Sequence, residues 1–158
     1  MGKLEEIRDA LANHAKRFGP AASMIANVKT VDEVNFTCVL EDDGLTYEDV
    51  RLRPVLDGNE GLTLFPKINT WALAVRIEQG EDWMLVAAGE YDKWRLKIGT
   101  AVIEQNSTGL LIKKDADSLK DALVTLIEAV EAIIVLQGRN PDRVKLLAAK
   151  TKIINILR

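Results

Sequence analysis

Residues 71–88 read WALAVRIEQGEDWMLVAA, and the interpretation of the whole chain starts from this stretch. From Trp71 to Glu78, large apolar side chains alternate with Ala, Arg or Glu, which is the period-two pattern of a strand buried on one face. Gly80 lies in a polar turn, where it can adopt a positive φ, and a second, nearly continuous apolar run follows. The stretch therefore predicts a β-hairpin in the middle of a small β-barrel.

The alternation also predicts which side chains fill the barrel. Trp71 is expected to be buried because it shares a strand face with Leu73 and Val75. Cys38 shares a face with Phe36 and is expected to be a small buried hydrophobe rather than a reactive thiol. The predicted core consists of Phe36, Cys38, Leu52, Trp71, Leu73, Val75, Met84 and Val86.

Composition narrows the classes of function. The chain has 158 residues, of which 47% are hydrophobic, so it can bury a substantial core. Its net charge of −3 gives no basic field toward nucleic acid or an anionic membrane, and aromatic residues make up only 5%. The N-terminus lacks an apolar segment typical of a secretory signal, and no run of about 18 apolar residues predicts membrane insertion.

No catalytic or metal-binding constellation stands out in the sequence. The single Cys38 excludes a cysteine-based zinc cage, and the single His14 has no second ligand near it, so a surface or packing role is expected. No nucleophile is paired with a base, and no glycine-rich cofactor loop is present. We therefore expect no enzyme activity, no cofactor and no metal site.

Further strands are expected on both sides of the hairpin. Residues 23–41 predict two strands joined at residues 29–33, residues 50–55 predict a short strand, and residues 57–67 predict a loop. The β pattern resumes at residue 91, and an additional hairpin over residues 101–113 is expected to lie outside the barrel. Three side chains allow either a structural or a binding role. Arg51 and Arg53 are interpreted as solvated residues, and the alternative is that they contact phosphate or a partner's carboxylate. Trp94 is interpreted as a packed aromatic residue, and the alternative is that nucleic-acid bases stack on it.

Helical periodicity marks both ends of the chain. Leu4, Ile7, Leu11 and Phe18 form one stripe of an N-terminal amphipathic helix that ends before Gly19. Near the C-terminus, Ser118 is a predicted N-cap, and Asn140 and Pro141 are predicted as N-cap and first residue of the last helix. The stripe of the penultimate helix consists of Leu119, Leu123, Leu126, Ile127, Val130 and Ile134.

These patterns predict a β-rich α+β chain, with a small β-barrel between an N-terminal helix and a C-terminal helical hairpin. The predicted regions are the helix at residues 1–20, the barrel with its extra hairpin at residues 21–113, and the helical hairpin at residues 114–158.

The order of these features resembles the OB-type barrel of tail-associated phage proteins, namely baseplate assembly and central-spike proteins of contractile tails and related injection machines. In the barrel region the resemblance rests on the acidic turn before Gly44, the segment VRLRP at residues 50–54, and the loop ending at Pro66. In the C-terminal region it rests on DSLKDAL at residues 117–123, LIEAV at residues 126–130, and the last helix after Asn140.

The resemblance implies a structural component of a phage or prophage tail or baseplate, made in the bacterial cytoplasm and then assembled into a virion or tail-like particle. The chain lacks the glycine-rich β-helix repeats and the histidine-containing metal tip of spike proteins, so a component without the needle is implied. Other tail or baseplate proteins would be its partners. The alternative is a single-stranded nucleic-acid-binding protein, because OB barrels commonly have that role, although the acidic charge counts against it.

Self-association is expected because three amphipathic helices exceed what a small barrel can cover. Since spike-type assemblies are three-fold, the resemblance favours a trimer among homo-oligomers. The competing arrangement packs all three helices within one subunit. The candidate oligomer interface consists of Leu4, Ile7, Leu11, Leu119, Leu123, Ile127, Val130 and Ile134.

Overall fold

A computed structural model of the protein describes residues 2–18, 23–54, 60–77, 80–134 and 136–158, with only the helical backbone described for residues 12–18. The elements in chain order are α1 (Lys3–Phe18), β1 (Ser23–Asp32), β2 (Thr37–Asp42), β3 (Leu45–Arg51), β4 (Gly61–Pro66), β5 (Trp71–Arg76), β6 (Trp83–Ala88), β7 (Tyr91–Ile98), β8 (Ala101–Asn106), β9 (Gly109–Lys114), β10 (Asp117–Ser118), α2 (Leu119–Glu131) and α3 (Arg143–Ile156).

The fold is β-rich, with a closed five-stranded barrel in the order β1-β2-β3-β6-β5. Neighbouring strands of the barrel are antiparallel except β3 and β6, which run parallel and meet where Arg51 pairs with Met84. The acidic turn between β2 and β3 has positive φ at Asp43 (49°) and Gly44 (83°), as a tight hairpin turn requires. The connection from β1 to β2 falls at residues 33–36, later than the predicted 29–33.

The barrel encloses a core of small and large apolar side chains. Phe36, Cys38 and Leu52 are buried, as the sequence predicted. Tyr47 meets the buried Trp83 edge to face, with 5.7 Å between the ring centroids. Among the described residues, the core comprises Ala26, Val28, Phe36, Cys38, Leu40, Val50, Leu52, Phe65, Ala72, Ala74, Trp83 and Leu85.

The prediction of which hairpin face is buried is wrong. On β5 the buried side chains are Ala72 and Ala74, while Trp71 is 61% exposed. The other predicted core residues of the hairpin also lie outside this core: Leu73 and Val86 are exposed, and Val75 and Met84 are half-buried. Because side chains alternate along a strand, an error of one residue transfers the whole set to the other side of the barrel wall.

The second sheet is also antiparallel, in the order β10-β9-β8-β7-β4. It contains the additional hairpin, β8 and β9, which lies outside the barrel as predicted. The prediction of a loop over residues 57–67 is wrong for its second half, where β4 pairs with β7. Residues 57–59 of that predicted loop lie outside the described residues.

Contacts at β4 and β7 join the second sheet to the barrel. Phe65 of β4 is 1% exposed and belongs to the barrel core. The ammonium group of Lys93 on β7 lies 4.7 Å from the Phe65 ring centroid and forms an ion pair with Glu33, in the connection after β1. An apolar anchor and a charged contact therefore hold the second sheet against the barrel.

The helices form at both ends as expected, with corrections to their termini. The Ser118 hydroxyl caps α2, accepting from the Asp121 backbone N–H at 3.1 Å and donating to the Asp121 carboxylate at 2.7 Å. The N-cap of α3 is Asp142 rather than Asn140, because the Asp142 carboxylate accepts the Lys145 backbone N–H at 3.1 Å. The helix α2 ends at Glu131, so Ile134 lies beyond it.

The two C-terminal helices pack side by side, next to β9. Lys150 of α3 donates to Glu128 of α2 at 2.7 Å, and this hydrogen bond raises the pKa of Lys150. After α3, Leu157 forms a bridge to Leu110 of β9. No helix in the described part of the chain is long and apolar enough to cross a bilayer.

Candidate assembly surfaces

An apolar patch lies on the outside of the barrel, across β1, β5 and β6. It comprises Ile25, Trp71, Leu73 and Val86, which are 63%, 61%, 37% and 50% exposed, and we call it the outer barrel patch. Ile25 lies opposite Leu73 in the ladder between β1 and β5. Three neighbouring strands thus present large apolar side chains to solvent.

Small interior residues and a bulge create this patch. Ala26, Ala72 and Ala74 of β1 and β5 face the core, where they are at most 2% exposed. Leu73 pairs with Ala87 and Ala74 pairs with Leu85, so Val86 is the extra residue of a β-bulge. Ile25, Trp71, Leu73 and Val86 therefore lie on the face where the barrel itself gives them no cover.

The stripe of α1 is a second uncovered surface. Leu4, Ile7 and Leu11, which the sequence placed in an oligomer interface, are 83%, 56% and 64% exposed. Every side chain from Gly2 to Leu11 is exposed. Because a short helix in water draws its stability mainly from packing of its apolar face, this stripe lacks the cover that such a helix needs. Phe18 and His14 have side chains outside the described part of the structure.

The C-terminal half of the predicted interface is divided between the interior and the surface. Ile127 is only 8% exposed, and Leu123 and Val130 are half-buried. Leu119 and Ile134 are 39% and 80% exposed. Contacts within the subunit thus bury part of this stripe. The competing arrangement predicts that such contacts bury the stripes of all three helices.

The second sheet has an apolar row on one face. Leu62, Leu96, Ile103 and Ile112 lie opposite one another in register from β4 to β9. Leu62 is 56% exposed and the other three are half-buried. An apolar sheet face is normally covered by a packed layer, so this row is a third candidate contact surface.

The opposite face of the second sheet holds a charged cluster. Glu104 of β8 is 6% exposed and forms ion pairs with Arg95 of β7 and with Arg158. Burial would raise the pKa of Glu104, but the hydrogen bond and charge of Arg95, together with the charges of Lys93 and Arg158, lower it overall. This cluster ties the end of the chain to the second sheet.

The other residues with binding alternatives are engaged within the chain. Arg51 forms an ion pair with Asp82, in the turn before β6. Arg53, interpreted from the sequence as solvated, is buried at 6% exposure, with its guanidinium 3.7 Å from the Phe36 ring centroid. The Trp94 indole N–H donates to the side chain of Gln105 at 3.2 Å.

Chemistry typical of an active site is not assembled among the described residues. They contain no group of three or more His, Cys, Asp or Glu side chains that could hold a metal ion. Burial raises the pKa of Cys38 to about 12, so the neutral thiol dominates at physiological pH. The features that remain to be explained are therefore the uncovered apolar surfaces.

The accessible surface area of the chain is larger than that of a compact monomer of the same mass. The isolated chain exposes 11545 Å² for a mass of 17.5 kDa. A compact monomer of that mass exposes roughly 7,900 Å². The difference of roughly 3,600 Å² exceeds the ~800 Å² that each partner buries in a standard interface.

Comparisons of the chain with protein-family models, with curated protein sequences and with solved structures find no match.

Proposed function

We propose that this protein is a structural component that acts by self-assembly, as a trimer, in a phage or prophage tail, baseplate or related injection machine. The observation that carries the self-assembly is the excess of accessible surface, which coincides with exposed apolar side chains on α1 and on the outer barrel patch. The assignment to a tail or baseplate rests on the sequence resemblance. The protein would be made in the bacterial cytoplasm and then assembled into the particle.

The strand order supports an OB-type barrel within this proposal. Counting only barrel strands in chain order, the wall runs first, second, third, fifth, fourth and back to the first. That is a Greek-key arrangement, which the five-stranded OB barrel also has. The second sheet inserts β4 between the third and fourth barrel strands and follows the fifth with β7, β8 and β9.

Light scattering coupled to size-exclusion chromatography tests the assembly. We expect the purified chain at micromolar concentration to have about three times its monomer mass of 17.5 kDa. The mass of a single chain throughout the micromolar concentration range would contradict self-assembly. A stable dimer or tetramer would retain self-assembly but reject the trimer.

Membership of a tail-like particle needs a separate test. Particles sedimented from the producing bacterium should contain the chain in a fixed ratio to the other tail proteins, measured by quantitative mass spectrometry. A matched strain carrying Leu4→Glu and Ile7→Glu should make the chain but lose it from the particles. Recovery of the wild-type chain only in the unsedimented fraction would reject a place in such a particle.

Single-stranded nucleic-acid binding remains the alternative, and the exposed Trp71 is its stacking candidate on the barrel. Titration with a single-stranded oligothymidylate should leave the tryptophan fluorescence unchanged if assembly is the function. Salt-dependent quenching that Trp71→Ala abolishes would favour the alternative.

A further inference from the structure

We propose that the charged face of the second sheet binds a small phosphate-rich anion, of the inorganic triphosphate class, in an open concavity of about 580 Å³. We call this site the basic concavity, and its charged lining side chains are Arg95, Lys97, Glu104, Lys113, Asp115 and Arg158. The inference does not depend on self-assembly, because all of these residues belong to one chain.

The strand register holds the basic side chains together. Lys97 of β7 and Lys113 of β9 both pair with Val102, on the strand between them. At a strand spacing of about 4.8 Å, the backbones of the two lysines are roughly 10 Å apart. Arg95 lies two residues from Lys97, about 7 Å along β7, and residues at this spacing share a sheet face. Three cations therefore stand on one frame of hydrogen-bonded strands.

The positive charges of the basic concavity exceed the negative ones. Arg95 and Arg158 share a single carboxylate, that of Glu104. Lys97 and Lys113 form no ion pair with any residue that the structure describes. The lining has four basic and two acidic side chains, so two positive charges are in excess, although the chain as a whole has a net charge of −3.

The two arginines keep donors for a ligand. Each guanidinium has about five N–H donors, whereas the two oxygens of Glu104 are shared between both. The side chains of Arg95 and Arg158 remain 31% and 29% exposed. The Nε atom of Arg158 is buried without a hydrogen-bond partner among the described residues. An oxyanion beside Glu104 would accept from donors that this carboxylate leaves unused.

The layout favours closely spaced phosphates over other anions. Guanidinium and ammonium groups are common partners of phosphate oxygens, and linked phosphates concentrate several negative charges in a small volume. An extended acidic peptide would present carboxylates on one side only about every 7 Å. None of the described residues that line the basic concavity is aromatic, so a nucleic-acid base would find no stacking platform there.

Isothermal titration calorimetry of the purified chain with sodium triphosphate tests the site, at a low ionic strength of about 50 mM NaCl. We expect one triphosphate per chain, with an affinity that Lys97→Gln and Lys113→Gln each weaken about fivefold. Asp115→Asn removes a repelling charge and should tighten binding by about two- to threefold. Asparagine also suits the positive φ of 54° at this position, so this variant should keep the fold.

Lys114→Gln is the matched control. Lys114 is adjacent to Lys113 on β9, but its side chain belongs to the opposite sheet face. The substitution removes the same charge and should weaken binding by less than about twofold. Equal weakening by Lys114→Gln and Lys113→Gln would show attraction to the general surface charge and overturn the site.

The remaining outcomes separate the ligand classes. Absence of triphosphate binding would overturn the inference, as would an unchanged or weakened affinity in Asp115→Asn. Tighter binding of a hexaglutamate peptide than of triphosphate would assign the basic concavity to an acidic segment of a partner protein. Tighter binding of oligothymidylate, through the same lysines, would assign it to nucleic acid. Triphosphate binding by a monomeric chain would support this inference while rejecting the proposed self-assembly, so the two proposals fail separately.

Discussion

Leu73 lies opposite Ile25 on the outer wall of the barrel, while its chain neighbour Ala74 is fully buried inside. On this pair of strands, Ile25, Trp71 and Leu73 thus face solvent, while Ala26, Ala72 and Ala74 face the core. A monomer gains little from this arrangement, because burial of a leucine or isoleucine stabilises by about 1.5–3 kcal/mol and burial of an alanine by less. These exposed apolar side chains make the outer wall of the barrel a candidate contact surface.

Adjacent residues of β5 should respond oppositely to the same substitution. Ala74→Asp places an unpaired carboxylate in the barrel core and should cost several kcal/mol of unfolding free energy. Leu73→Asp places the same group on the outer wall, so the isolated subunit should lose less than about 1 kcal/mol but assemble poorly. Urea denaturation followed by circular dichroism measures the first effect, and light scattering the second.

Comparing Ala74→Asp with Leu73→Asp controls for the effect of the added charge itself. Each substitution adds one negative charge to the same strand, so a difference between them reports the side of the wall. Equal destabilisation by both would contradict the assigned faces. A Leu73→Asp chain that keeps the full oligomer mass would remove the patch from the interface.

The buried Glu104 should make stability depend on pH. Glu104→Gln keeps the shape but removes the charge that pairs with Arg95 and Arg158, and a hydrogen bond to a charged group contributes about 1.5–3 kcal/mol. We expect a loss of about 2 kcal/mol at pH 7. The pKa of Glu104 is lowered in the folded state, so its contribution is complete above the unfolded value near 4.3. It is lost as pH falls through the lower folded pKa.

Denaturation of both proteins at several pH values measures this dependence. The gap between wild type and Glu104→Gln should be constant between about pH 5 and 7 and shrink below about pH 4. Glu90→Gln is a matched control, because the ion pair of Glu90 with Lys67 is exposed and should contribute much less than the Glu104 cluster. A gap that widens at acid pH would contradict the lowered pKa.

The thiol of Cys38 should be inert in the folded protein. It is 1% exposed, and burial raises its pKa to about 12, so both access and thiolate fraction are low. We expect iodoacetamide at pH 8 to label the native chain at least a hundredfold more slowly than the urea-unfolded chain. Similar rates in both states would show that the barrel opens readily around β2.

The sequence could predict the element types well because their patterns are local. Helix α1, the hairpin of β5 and β6, and the cap at Ser118 follow from periodicity and side-chain hydrogen bonding over a few residues. The face of the hairpin could not be predicted in this way. Both faces of β5 are apolar, since alanine alternates with larger residues, so the periodicity does not indicate which of the two faces lies inside the barrel.

The misplaced elements have similar physical reasons. Strand β4 was predicted as loop because Gly61 and Pro66 mark its ends, and only pairing with β7 makes the segment between them a strand. Asp142 and Asn140 are both favourable N-cap residues near Pro141. In the structure the helix begins after Asp142, which is the N-cap. The division of the C-terminal stripe depended on packing of α2 with α3, which periodicity does not reveal.

Three isoleucine and leucine positions should separate folding from assembly. Ile7 and Leu126 are 56% and 60% exposed, whereas Ile127 is 8% exposed. Ile127→Glu places a charge at the buried position of α2, so we expect a loss of about 3 kcal/mol or more in the unfolding free energy. Ile7→Glu should leave the fold intact and reduce the oligomer mass, because Ile7 is exposed on the subunit and belongs to the proposed oligomer interface. Leu126→Glu is the exposed control on the same helix as Ile127, and should melt within a few degrees of wild type. Light scattering and thermal melting of the three variants distinguish these outcomes, and a fully assembled Ile7→Glu chain would place the contact away from α1.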